Sequence, residues 1–369
     1  MADRLPRYRT KDRALDQRLV DLLDAVDASA NRDQLFEILV TAVRLAMDDT
    51  DRLDLKITNA ALKELRYAFK VFAPYKHIPK VTMFGSARTL PDDPLYAQAR
   101  SMAKQMAGEG WMVVTGAGPG IMAAGLEGAG RAMSFGINIR LPFEQGANPY
   151  IAADPKLIEM KYFFTRKLAL MKESAAFVVL PGGFGTLDEL LELLTLLQTG
   201  KADPAPIVCL EVPGGNYWRG WRSFITDEVE PRGLISPEDE CLVHITDDVA
   251  VALDHISTFY RNYHSIRYVG DLLVLRLRSA PTDAELETLS TEFADICVEG
   301  GIEGIDALPA EVADDDFPYL PRVALQFDRM HHGRLRQLID ALNMLASAPD
   351  ALHDPPPPAT PSAAGLTPQ

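Results

Sequence analysis

Cysteine is scarce in this chain: three in 369 residues, at Cys209, Cys241 and Cys297, far apart and odd in number. That speaks against a disulfide framework, and no pair has the spacing of a metal-ligand motif. Long apolar runs are missing too. No stretch approaches the ~18–20 apolar residues of a membrane-spanning helix. Met1 to Asp12 alternates charges with no apolar core, which argues against a secretory signal. The expectation is a cytoplasmic protein that engages no membrane. Basic residues are in deficit, with 37 Lys and Arg against 52 Asp and Glu and a formal net charge of −15. Such a balance disfavours a nucleic acid polymer or an anionic membrane as partner, because both attract basic surfaces. It leaves open a local pocket for one phosphate, which backbone amides and a helix dipole can hold.

What is present is ordinary globular composition, 47% hydrophobic and 24% charged, enough for a core stabilised by burial alone. Residues 1–78 read as a helical N-terminal extension. Leu19, Leu22, Leu23 and Val26 recur with helical period, as do Leu35, Leu39, Val43 and Ala46. Asn31 is the expected N-cap of the second helix, with Gln34 completing a partial capping box.

From Lys80 the texture changes to short apolar runs separated by helical segments. Val81–Phe84, Trp111–Thr115, Phe135–Leu141, Phe177–Leu180, Ile207–Val212 and Cys241–Ile245 read as strands. Strands that are apolar throughout, alternating with helices, mean a parallel sheet covered on both faces. Residues 79–262 are therefore expected to form an α/β domain, a Rossmann-like doubly wound parallel sheet. Residues 263–348 continue as a C-terminal α/β addition, with strands at Leu272–Leu277 and Val323–Phe327 and helices at Asp283–Val298 and Arg334–Leu345. Residues 349–369, with four consecutive prolines from Pro355, read as an extended, disordered tail.

Three of the strands run into glycine: at Gly85-Ser86, at Gly116-x-Gly118-x-Gly120, and at Gly182-Gly183-x-Gly185. In an open parallel sheet, ligands bind beyond the carboxyl ends of strands, so three such loops converge on one crevice. The second loop lacks the Gly-x-Gly-x-x-Gly spacing, no acid ends the following strand, and no Gly-Lys-Ser/Thr follows any loop. Dinucleotide and Walker-type triphosphate sites are disfavoured; a mononucleotide or sugar phosphate fits better. In Pro181-Gly182-Gly183-Phe184-Gly185-Thr186-Leu187-Asp188-Glu189, Thr186 and Glu189 have capping-box spacing at the head of a Leu-rich helix. The same geometry presents glycine amides and a hydroxyl as a phosphate cradle, with a carboxylate beside it. Upstream, Arg166-Lys167 is either a solvated helix face or a pair serving that pocket, one cation on the phosphate and the Arg orienting the carboxylate.

These residues resemble a known family. The Pro181–Glu189 segment with Arg166-Lys167 is similar to the Pro-Gly-Gly-x-Gly-Thr-x-x-Glu signature of the Lonely Guy proteins, cytokinin riboside 5′-monophosphate phosphoribohydrolases, some of them labelled lysine decarboxylases. Gly85-Ser86-Ala87-Arg88, Thr115–Met122 and Asn138–Gln145 match further blocks, and Phe259–Ser265 resembles the longer bacterial subgroup. The resemblance implies hydrolysis of the N-glycosidic bond of a purine nucleoside 5′-monophosphate, carrying adenine or an N6-modified adenine. The products are free base and ribose 5-phosphate. It implies Arg166 and Glu189 as catalytic residues. It implies substrate contacts at Gly85, Ser86, Gly116, Gly118, Gly120, Asn138, Lys167, Gly182, Gly183, Gly185 and Thr186. It implies a homo-oligomer, dimer or higher, and no cofactor or metal. Chemically, an ionised Glu189 held by a bidentate guanidinium suits an oxocarbenium-like transition state and an attacking water.

The chain departs from the family at Ala123 and Leu126, where longer members carry Glu and Asn, and at Phe164, where short members carry His. The first two bear on recognition of the base or ribose. An alternative from another class is a nucleotide-binding sensor or carrier on the same fold, without turnover.

Overall fold

The computed structural model describes residues 6–140 and 146–350. Leu141 to Gln145 of the Asn138 block and the proline-rich tail beyond residue 350 lie outside the described residues.

Contacts divide the chain into two units, at Glu64 and Leu65. The first holds α1 (Arg13–Ala25), α2 (Arg32–Met47) and most of α3 (Arg52–Phe72). Asp12 starts α1 by accepting the amides of Ala14 and Leu15 at 2.8 and 3.2 Å, satisfying donors that no helical carbonyl can reach. Leu23, Phe36 and Val40 form a small core with Leu19 and Leu39. Leu22, Val26 and Leu35 are exposed, so only part of the expected apolar stripe is buried. Asn31 is the N-cap of α2, but in a left-handed conformation without a side-chain cap, and Gln34 bonds Asp33 instead. The expected capping box does not form.

The break falls inside α3 rather than at residue 78. Ala68 and Phe72, in its last turns, are buried against the sheet of the second unit, where Phe72 stacks on Phe135 with centroids 4.4 Å apart.

The second unit starts with β1 (Lys80–Phe84), α4 (Pro94–Gly108), β2 (Met112–Thr115), α5 (Ile121–Ala129), β3 (Ser134–Ile139) and β4 (Leu157–Met160). It continues with α6 (Phe163–Lys172), β5 (Ala176–Val179), α7 (Phe184–Gln198), β6 (Ile207–Leu210), α8 (Tyr217–Phe224), β7 (Val243–Thr246) and α9 (Val249–Phe259). The seven strands pair in parallel in the order β4-β3-β2-β1-β5-β6-β7. Alternate residues of one strand feed different cores. Ala176 and Val178 join α4, α5 and α9, whereas Phe177 and Val179 join α6, α7 and Trp218 of α8. Both faces are dry, which is why these strands carry no polar alternation. β4 escapes the sequence reading because it is an edge strand with Glu159 exposed and paired to Arg140 at 2.7 Å.

Next come β8 (Tyr263–Val269), β9 (Leu272–Leu277), α10 (Asp283–Glu292), β10 (Glu303–Ile305), α11 (Pro309–Ala313), β11 (Arg322–Leu325) and α12 (His332–Met344). Their strands form an antiparallel sheet in the order β10-β11-β9-β8. Leu273, Leu275, Val323 and the apolar face of α12 share one core with α4 and α9, so this segment folds as part of the same unit. The helix expected through Val298 stops at Glu292, and a short 3-10 turn follows. Among the described residues no helix is long and apolar enough to cross a membrane.

Candidate functional site

Strand order runs outward in opposite directions from β1 and β5, and the crevice at such a switch point is where open parallel sheets hold ligands. Here the loops after β1, β2 and β5 are tied together. The Ser86 amide donates to the Pro181 carbonyl at 3.2 Å, and the Ile121 amide to the Ser86 carbonyl at 3.0 Å. Gly120, with φ of +65°, lies so near the backbone of Ser86 and Ala87 that any Cβ would overlap them. Gly120 thus welds two loops and does not line the cleft.

The cleft has a volume of about 760 Å³. Its lining includes Gly85, Ser86, Gly116, Gly118, Asn138, Arg166, Gly182, Gly183, Gly185, Thr186 and Glu189. Of the residues singled out from the sequence, only Gly120 and Lys167 fall outside it. Met83, Arg88, Met122, Ile139, Phe163 and Phe184 also line it; Arg88, Met122, Ile139 and Phe184 stood in recognised blocks, though without a role of their own, whereas no block marks Met83 or Phe163. Phe184 is 94% exposed at the head of α7.

α7 begins three residues earlier than a Thr186 cap requires. Its N-cap is Gly183, with extended backbone and no side-chain cap, so the capping box expected of Thr186 and Glu189 does not form. Thr186 is the third helical residue and lies buried with its side chain against Gly182. The amides of Phe184, Gly185 and Thr186 therefore have no side-chain cap, in residues that all line the cleft. A Cβ on Gly183 or Gly185 would meet nothing. Packing does not demand glycine at either position, and its effect there is to leave the amides open to an approaching group. Helix N-termini of this kind favour anions. From behind, the Tyr217 hydroxyl donates to the Gly182 carbonyl at 2.6 Å, a support no sequence spacing signalled.

Arg166 is buried, and its guanidinium is anchored by backbone. Nε donates to the Ile137 carbonyl at 2.9 Å and Nη2 to that of Gly116 at 3.4 Å. Gly116 leaves the room, since a Cβ there would strike the guanidinium. Nη1 remains 3.9 Å from Oε1 of Glu189. The bidentate pair expected from the sequence is absent, because two of the guanidinium nitrogens serve the strand ends. Glu189 is 14% exposed at its side chain. Burial pushes its carboxyl up from 4.5 to about 7, against the pull of Arg166 and Lys167. It is consequently poised between charge states near neutral pH, rather than fully ionised.

Lys167 turns away from the cleft. Its ammonium sits 2.6 Å from both Asp188 and Glu192 on α7, and Lys167 is not part of the cleft lining. Ala123 and Leu126 are buried in packing clusters and do not line the cleft. Their departures from the family pattern alter packing between α5 and its neighbours, not the wall met by a ligand. Phe164 is half exposed and stacks on Tyr162 at 5.6 Å.

Fold and cleft together define a Rossmann-like α/β protein whose glycine-lined cleft holds Arg166 and Glu189 side by side. Residues 119–256 match the sequence profile of a family described as "Possible lysine decarboxylase". The chain is 49% identical over 72 residues to cytokinin riboside 5′-monophosphate phosphoribohydrolase LOG1 of Arabidopsis thaliana, covering 20% of this chain and 32% of that one. It is 36% identical over 99 residues to a probable cytokinin riboside 5′-monophosphate phosphoribohydrolase of Oryza sativa subsp. japonica, covering 27% of this chain and 44% of that one. These matches agree with the resemblance to the Lonely Guy proteins, and the chain spans less than half the length of these curated relatives. Among solved structures, it is similar to the molybdenum cofactor carrier protein of Chlamydomonas reinhardtii, at 22% identity and a TM-score of 0.34 over 48% of this chain and 94% of that one.

Proposed function

We propose that this protein hydrolyses the N-glycosidic bond of a purine nucleoside 5′-monophosphate bearing adenine or an N6-modified adenine. The products are the free base and ribose 5-phosphate. The observation that carries the reading is the buried Glu189 carboxyl facing Arg166 in the cleft that the head of α7 opens into. In this reading the 5′-phosphate rests on the amides of Phe184, Gly185 and Thr186, where the helix dipole favours it. That remote anchor places C1′ near Glu189 and lowers the entropic part of the barrier. The C1′–N9 bond breaks with its electron pair leaving on the base. The carboxylate of Glu189 stabilises the developing oxocarbenium charge and takes a proton from the attacking water, whose oxygen bonds C1′. The departing base acquires a proton. Arg166, fixed by two carbonyls, favours the ionised carboxylate. Arg88, Asn138, Gly85, Ser86, Gly116 and Gly118 complete the walls of the substrate site.

The similarity to the phosphoribohydrolases, whose names state a riboside monophosphate substrate, supports the same class here. Lysine decarboxylation fits the residues poorly. A Schiff-base lysine needs a neutral amine, whereas the two carboxylates on Lys167 hold its ammonium above the ordinary lysine value. The protein is further proposed to work in the cytoplasm as a homo-oligomer.

The test is incubation of the purified chain with AMP, N6-isopentenyl AMP, GMP, CMP and IMP, each with and without the 5′-phosphate, followed by chromatography. Release of base from an adenine-type monophosphate, lost when the phosphate is removed, is expected. Tight binding by calorimetry with no base released from any of them would replace this reading with that of a nucleotide sensor or carrier.

A further inference from the structure

Arg166 and Lys167 are consecutive on α6, so their side chains leave the helix about 100° apart. Arg166 enters the cleft. Lys167 crosses to α7 and binds Asp188 and Glu192, each at 2.6 Å. These two carboxylates flank Glu189 on the same helix, one directly before it and the other three residues on, a separation at which helical side chains are neighbours. The Lys167 side chain is only 15% exposed, so water screens the bridge less than a surface ion pair.

Among the described residues, the charges acting on Glu189 come from three elements. From α6 come Arg166 and Lys167, and from α7 Asp188 and Glu192; Arg88, in the loop after β1, lines the same cleft. Asp188 and Glu192 oppose a negative charge on Glu189, whereas Arg166 and Lys167 favour it. Lys167 also joins α6, which carries Arg166, to α7, which carries Glu189.

We propose that Lys167 is a positioning residue for the reaction proposed above: by neutralising Asp188 and Glu192 and tying α6 to α7, it lets Glu189 carry its charge at neutral pH and holds it opposite Arg166. The inference rests on the hydrolase reading for its catalytic consequence, but not for its electrostatic one. It differs from a phosphate-binding role for Lys167 in what it affects. Loss of a phosphate ligand weakens substrate binding; loss of this bridge changes the pH at which Glu189 ionises.

The test uses the full chain with Lys167→Met, Lys167→Arg and Glu192→Gln, folding being checked by circular dichroism. The pH profile of kcat/KM on the monophosphate that turns over is measured for each. Separately, the Glu189 carboxyl is titrated by carbon-13 NMR, assigned by its disappearance in Glu189→Gln. Lys167→Met is expected to move the acidic limb and the carboxyl titration upward. A shift of one pH unit lowers kcat/KM at pH 7 about fivefold. Glu192→Gln is expected to move both downward, because it removes a like charge, and Lys167→Arg to restore the normal profile. Opposite signs for Lys167→Met and Glu192→Gln are the signature that a purely structural bridge cannot produce. An unmoved carboxyl titration in Lys167→Met overturns the proposal, as does a raised KM with unchanged kcat and pH profile. Should the native chain release no base while the Glu189 titration shifts as described, the electrostatic role stands and the hydrolase reading falls.

Discussion

The buried Glu189 carboxyl makes the cleft costly to the fold above neutral pH, and that cost can be measured. In the unfolded chain Glu189 titrates near 4.5; in the folded protein burial raises it to about 7. Below the unfolded value the group is protonated in both states and stability does not respond to it. Between the two values the folded state keeps a proton that the unfolded state has released, so stability falls as the pH rises. Above the folded value the loss is complete. At ~1.4 kcal/mol per pH unit, the rise from 4.5 to about 7 amounts to ~3 kcal/mol. Glu189→Gln keeps the volume and discards the charge, while Arg166 keeps its Ile137 and Gly116 carbonyls. The variant should therefore be more stable than the native chain, and its advantage should grow by ~2 kcal/mol between about pH 5.5 and pH 8. Trp111, Trp218 and Trp221 all lie in the unit that holds the cleft, so tryptophan fluorescence during urea unfolding at the two pH values reports on the right part of the molecule. The same variant should lose ~10²–10⁴-fold in turnover, a trade of stability for chemistry common at active sites. An advantage that is flat with pH, or that shrinks as the pH rises, would refute the reasoning by showing Glu189 ionised throughout.

Two further outcomes follow from the packing. Gly183→Ala places a methyl group where nothing in the protein stands, so it should cost less than ~1 kcal/mol of stability as a poorer N-cap. It should still raise KM for a monophosphate tenfold or more by crowding the cradle; equal KM values would place the phosphate elsewhere. Leu126→Asn, which restores the family's usual residue, buries an amide at a site of zero exposure, and should destabilise by ~2–4 kcal/mol with no change in the ranking of AMP against N6-isopentenyl AMP. A changed ranking in the substrate panel would return α5 to a recognition role.

The parts of the fold that were legible in the sequence are those where burial is two-sided. β1, β2 and β5 could be read because every position faces a dry layer, as Phe177 and Val178 do on opposite faces. β4 and β8 could not, because Glu159 on the edge and the polar positions of Tyr263–Val269 break the apolar signal. The boundary between the units was misplaced for a similar reason: helical period runs unbroken through α3, and only the burial of Ala68 and Phe72 tells where one core ends and another begins. At the site, the loops after β1, β2 and β5 were visible as glycine clusters, and the structure brings them into one cleft. The roles within the motif were less legible. Thr186 and Glu189 have capping-box spacing, yet Gly183 starts the helix and leaves Glu189 free to face Arg166.

By itself the sequence determined the parallel α/β architecture, the glycine-rich strand ends that the structure gathers into one cleft, and a net charge of −15 that disfavours a phosphate polymer as partner. These depend on local rules: which residues tolerate a dry sheet, and which lack a side chain at a strand end. Tertiary structure alone decided the direction of Lys167, the anchoring of Arg166 by Ile137 and Gly116, and the charge state of Glu189. All three depend on segments distant in sequence that set solvent access and partner distance, and a carboxyl's energy changes with both far more than with its neighbours along the chain.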